Sequence, residues 1–102
     1  MNIRERTQAK EIRLSALYII TKTQVIEQGK TYLGTLGQAA QQGYYTISAC
    51  QNMGLPVTNE ELEDMEYYAM FSTCYQHYCI ASNGKYVRPC LPVFNRRPYK
   101  GA

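Results

Sequence analysis

Cys74, His77 and Cys79 fall within six residues, and Cys90 follows eleven positions after Cys79. These are the side-chain types that bind zinc, and a Cys3His set would need all four to converge at about 2.0–2.3 Å. The spacing does not favour that. On a helix Cys74 and His77 share a face while Cys79 projects elsewhere, and there is no glycine- or proline-containing knuckle to turn the ligands inward. A thiol nucleophile at Cys74 activated by His77 would need an orienting carboxylate and an oxyanion turn, and neither is nearby. The acidic run from Glu60 to Glu66 suits a helix start better than acid–base work, and there is no phosphate loop or dinucleotide fingerprint. The expectation is therefore a protein with no metal, no cofactor and no catalytic centre, its cysteines being mostly buried thiols.

The second chemically dense region is the C-terminal stretch, where Lys85, Tyr86, Arg88, Phe94, Arg96, Arg97, Tyr99 and Lys100 interleave cations with rings. Arginine and tyrosine are preferred anchors of protein interfaces, and an extended proline-bearing segment loses little entropy on docking. The same mixture suits phosphate contact and base stacking. Charge is segregated along the chain. Residues 58–81 hold five acids and no base, and residues 85–100 hold five bases and no acid. The two segments are expected either to pair within the fold or to steer a partner.

The elements that position these residues follow from punctuation and periodicity. At 102 residues, 45% apolar and 19% charged, the chain is sized and composed for one globular core. Gly29, Gly43, Gly54 and the Asn83-Gly84 pair divide it into four segments, each readable as a helix, and a tail. Thr7 to Gln28 carries Ala9, Ile12, Ala16 and Ile19 or Ile20 near helical spacing; its alternating Ile12, Leu14, Ala16, Tyr18 and Ile20 leave a strand open for residues 12–26. Tyr32 to Gln42 and Tyr45 to Met53 are short helices. The fourth begins at a capping box, Thr58 with Glu61, and continues through an apolar face of Leu62, Met65 and Ala69 and a second of Tyr68, Phe71, Tyr75 and Tyr78. Pro89, Pro92 and Pro98 make the remainder extended. The predicted fold is mainly α: a small single-domain helical bundle of about four helices (residues 1–84) with an extended, proline-containing basic tail (residues 85–102).

The stretch Leu36 to Ser48 resembles the helix-turn-helix of bacterial and phage regulators. Ala39 and Gly43 stand four apart, as in that motif's first helix and turn, and Thr46-Ile47 stands where a recognition helix would begin. The resemblance implies DNA contact by Tyr44, Tyr45, Thr46 and Ser48, although residues 31–49 hold no Lys or Arg.

The expected function is non-enzymatic binding: a small regulator or inhibitor, in the style of bacteriophage and mobile-element proteins, that docks on a larger protein or complex. Its contacts would be Arg88, Phe94, Arg96, Arg97, Tyr99 and Lys100 of the tail, with Tyr68, Tyr75 and Tyr78 of the fourth helix. The alternative is a nucleic-acid-binding regulator that adds Lys85, Tyr86, Arg4 and Arg6 to the helix-turn-helix-like stretch. A zinc-stabilised interaction module on Cys74, His77, Cys79 and Cys90 is a second alternative. No stretch approaches the roughly 18 apolar residues of a membrane span, and a start bearing Arg4, Glu5 and Arg6 has no apolar leader, so a cytoplasmic location is expected.

Overall fold

A computed structural model describes residues 15–72, 79–82 and 84–96. It overturns the helical bundle: the framework is a mixed four-stranded sheet in the order β1-β3-β6-β2, made of β1 (Thr31–Thr35), β3 (Tyr67–Met70), β6 (Cys90–Asn95) and β2 (Tyr44–Tyr45). β1 runs parallel to β3, and β6 is antiparallel to both β3 and β2. A separate hairpin pairs β4 (Ile80–Ser82) with β5 (Lys85–Val87). The helices are short: α1 (Lys22–Glu27), α2 (Leu36–Gln41), α3 (Ile47–Asn52) and α4 (Asn59–Glu63), preceded by a 3-10 turn at Ala16–Tyr18. The protein is α/β.

Each helix starts at a threonine whose hydroxyl accepts a backbone N–H in the first turn: Thr21, Thr35, Thr46 and Thr58. Three of them, all but Thr46, complete a capping box with Gln24, Gln38 and Glu61 respectively. In α1, α2 and α3 the pattern repeats. A capping threonine is followed four residues later by a fully buried side chain (Val25, Ala39 or Cys50) and eight residues later by glycine (Gly29, Gly43 or Gly54). Helices of six residues are marginal alone, so the cap, the stop and the single buried anchor hold each one to the sheet.

The fourth segment shows why the bundle fails. Its capping box forms as expected, but α4 ends at Glu63 and the chain from Tyr67 is strand. Tyr67, Ala69 and Phe71 alternate with Tyr68 and Met70, so Tyr68 and Phe71, expected on one helical stripe, fall on opposite faces of the strand. One face packs Ala69, Phe71, Leu91 and Val93 with Ala39 and Leu36 of α2; the other packs Tyr68 and Cys90 with Val25 of α1. Helices thus cover both faces, and β6 is buried from Cys90 to Phe94.

Residues 90–95 of the predicted tail are therefore an inner strand of the sheet, although they include Pro92. Proline is ordinarily excluded from inner strands because it cannot donate to the ladder. Here Cys90 N–H donates to Ile20 C=O at 2.9 Å, and Arg96 N–H to Gly43 C=O at 2.9 Å. Alternate residues point the same way, so Pro92 faces the gap between Ile20 and β2, where the described residues pair no strand with it. The missing donor costs nothing there.

Candidate functional site

The most built arrangement lies where β6 ends against α4. Thr58 starts α4 and Glu61, bound back to the Thr58 N–H at 3.1 Å, is thereby fixed at its first turn. Arg96 meets it with both terminal nitrogens, Nη1 to Oε2 at 2.6 Å and Nη2 to Oε1 at 2.8 Å. The same guanidinium donates to the carbonyls of Leu55 (2.9 Å), Pro56 (3.3 Å) and Asn95 (2.8 Å). This fork closes the α3–α4 connection onto the sheet. The Arg96 side chain is 11% exposed and that of Glu61 33%. Arg96 holds the Glu61 carboxyl below its ordinary value, against desolvation, and Glu61 raises the arginine in return.

Two clefts flank the clamp and share Thr58, Glu61 and Asn95. One, of about 350 Å³, has Val93 and Phe94 among its walls together with Glu60, Asp64, Glu66 and Tyr67. The other, of about 450 Å³, is bordered by Gly54, Leu55, Pro56 and Arg96 and is mostly apolar. Tyr67 packs on Tyr44, ring centroids 4.6 Å apart and planes at 41°. Its phenol is raised by a hydrogen bond and charge interaction with Tyr44, then by desolvation and the nearby Glu66 and Asp64 carboxylates. Lys30 Nζ donates to Met65 C=O at 2.6 Å, securing the turn between α4 and β3.

The residues expected to bind a protein partner are dispersed. Tyr68 (4% exposed) and Phe94 (6%) are core rings; Arg96 is engaged in the clamp, which realises the pairing of basic segment with acidic helix. Arg88 is exposed and donates to Ser72 C=O at 3.0 Å. Tyr75, Tyr78, Arg97, Tyr99 and Lys100 lie outside the described residues.

The helix-turn-helix stretch is not two helices joined by a turn: β2 lies between α2 and α3 and pairs with β6. Tyr44 and Tyr45 are that strand, Thr46 is the buried α3 cap, and Ser48 is buried in α3. Lys85 and Tyr86 stand on β5, while Arg4 and Arg6 lie outside the described residues.

Of the zinc-type set, Cys74 and His77 lie outside the described residues. Cys79 is disulfide-bonded, a correction to the expectation of four thiols, and the other half of the bond lies outside the described residues. Cys50 and Cys90 are free and buried. Burial pushes the Cys50 thiol up and the Cys90 thiol up to about 11. Among the described residues no three His, Cys, Asp or Glu side chains converge as a metal site. Sequence reasoning allowed for pairing of the basic and acidic segments but missed which two residues make the clamp. Its one local trace was the Thr58–Glu61 box, since nothing in the chain marks position 96 as the residue that lands on it. No protein-family model, curated protein or solved structure matches the chain.

Proposed function

We propose that this protein is a small non-enzymatic binding protein, a regulator or inhibitor that docks on a larger protein through the paired clefts at the Arg96–Glu61 clamp. The observation that carries the reading is the make-up of those clefts: exposed apolar surface from Leu55 and Pro56 beside the exposed carboxylates Glu60, Asp64 and Glu66. An apolar centre with a polar rim is the anatomy of a protein interface, and the excess of carboxylates selects a partner segment bearing Lys or Arg. Burial of both free thiols, which suppresses the reactive thiolate, supports a non-catalytic role.

The described residues contain no helix long and apolar enough to cross a membrane. A cytoplasmic location is part of the proposal, and the Cys79 disulfide weighs against it because reducing compartments rarely keep such bonds. Alkylation of the protein at the moment of cell lysis, read by mass, decides which holds.

The docking test is capture from nuclease-treated lysate with the intact protein and with a Glu60→Lys/Asp64→Lys variant of matched melting temperature. Any captured protein is then purified and rebound. A partner that binds the wild type and is lost with the variant supports the reading; equal binding to both overturns it.

A further inference from the structure

The smaller of the two clefts has four carboxylates in its wall, Glu60, Glu61, Asp64 and Glu66, and among the described residues no Lys or Arg. Arg96 pairs with Glu61, and Lys30 is turned to the Met65 C=O. Glu60, Asp64 and Glu66 are exposed and have no counter-ion among the described residues. The backbone of β6 runs up to this place. Asn95 borders both clefts and Arg96 the apolar one, and Arg96 N–H still donates to Gly43 C=O at 2.9 Å. The next four residues in the sequence are Arg97, Pro98, Tyr99 and Lys100, two cations and a ring with no acid. Four residues reach at most about 14 Å, and α4 from its Thr58 cap to Asp64 measures about 9 Å on the helical rise. The segment that starts at the clefts is long enough to cover them.

We propose that residues 97–100 fold back over these clefts as an occupant in cis, Arg97 and Lys100 meeting the carboxylates Glu60, Asp64 and Glu66 while Tyr99 covers the apolar surface at Leu55 and Pro56. The proposal rests on the docking reading above and adds its regulation: a partner segment bearing Lys or Arg has to displace this one. Pro98 favours a polyproline-type conformation, in which side chains repeat every three residues. That puts Arg97 and Lys100 on one side, about 9 Å apart along the segment, and Tyr99 on another. An acidic cleft flanked by an apolar one matches that division. The covalent link supplies an effective concentration of about a millimolar, so contacts too weak to hold a free peptide hold a tethered one. Clefts left open about a third of the time would weaken a partner's apparent affinity about threefold.

The test is cross-linking of the full chain with a water-soluble carbodiimide, which joins an amine to a carboxylate without a spacer, read by peptide mass spectrometry on the monomer fraction. Lys100 is expected to join Glu60, Asp64 or Glu66 in preference to Glu27, an exposed carboxylate on α1. The yield should fall several-fold in high salt, where charges are screened within about 3 Å, and with Arg97→Gln. A second readout is anisotropy of a labelled tetra-arginine peptide. Arg97→Gln/Lys100→Gln should bind it about threefold more tightly than wild type, and Glu60→Lys/Asp64→Lys should lose it. Circular dichroism checks that each variant is folded. Lys100 joined to Glu27 as often as to the cleft carboxylates overturns the proposal, as do links found only between two chains or a yield indifferent to salt and to Arg97→Gln. Weaker peptide binding by Arg97→Gln/Lys100→Gln overturns it too, because the segment would then help to hold a partner. The docking reading fails separately: the cis cross-link can form while every protein captured from lysate binds the Glu60→Lys/Asp64→Lys variant as well as the wild type.

Discussion

Replacing Arg96 by alanine removes a side chain that joins the end of β6 to the α3–α4 connection and to α4. An exposed ion pair is worth about 0–1 kcal/mol, and truncating one partner of a fully buried pair costs about 3–5 kcal/mol. With Arg96 11% exposed and Glu61 33% exposed, this pair lies between those limits. The loss also strips donors from the carbonyls of Leu55 and Pro56, which solvent can partly replace. The expected cost is about 2 kcal/mol, which for a domain of this size lowers Tm by about 10 °C. Arg96→Lys recovers little, because an ammonium cannot make the two-pronged contact and reach the carbonyls together. The measurement is a double-mutant cycle by urea denaturation with Arg96→Ala, Glu61→Gln and the pair, in which the two sites couple by about 1 kcal/mol. The pH dependence has a defined sign. Arg96 chiefly depresses the Glu61 carboxyl below its ordinary 4.5. The associated stability is thus complete above pH 4.5 and is lost as pH falls through the lowered native value. Wild type and Glu61→Gln should converge in acid. Arg96→Ala with an unchanged Tm, or strictly additive single variants, would refute the clamp.

Three further outcomes follow from the fold. A chain ending at Asn83 lacks β6, the strand between β3 and β2, and should show no cooperative unfolding transition by circular dichroism. Leu91→Ala, at a fully buried position against Phe71, Ile19 and Leu36, should cost about 3 kcal/mol in urea unfolding. The Cys90 thiol, moved by burial from 9.0 to about 11, has about a hundredfold less thiolate near neutral pH. It should resist alkylation in the folded protein and react at the unfolding midpoint, read by mass spectrometry. The burial contribution of this thiol to stability is complete below pH 9 and lost as pH rises through about 11.

The capping box at Thr58–Glu61 and the glycine stops at Gly29, Gly43 and Gly54 were legible because each is settled within one helical turn. The same local signal, Thr followed three residues later by Gln, was present at Thr21–Gln24 and Thr35–Gln38 and would have placed the starts of α1 and α2. Reading whole glycine-to-glycine segments as helices hid β1 and β2, which precede the capping threonines.

Local chemistry therefore determined where helices could begin and end, and that one core could form. Tertiary pairing decided the rest. Tyr67–Met70 is a strand because β1 and β6 pair with it on either side, and no neighbour in sequence announces those partners. Pro92 marks a surface segment by every local rule, yet it occupies an inner strand because its donorless side falls in the gap between Ile20 and β2. The pairing of Arg96 with Glu61 joins residues 35 positions apart, and only the closed sheet brings them within hydrogen-bonding reach.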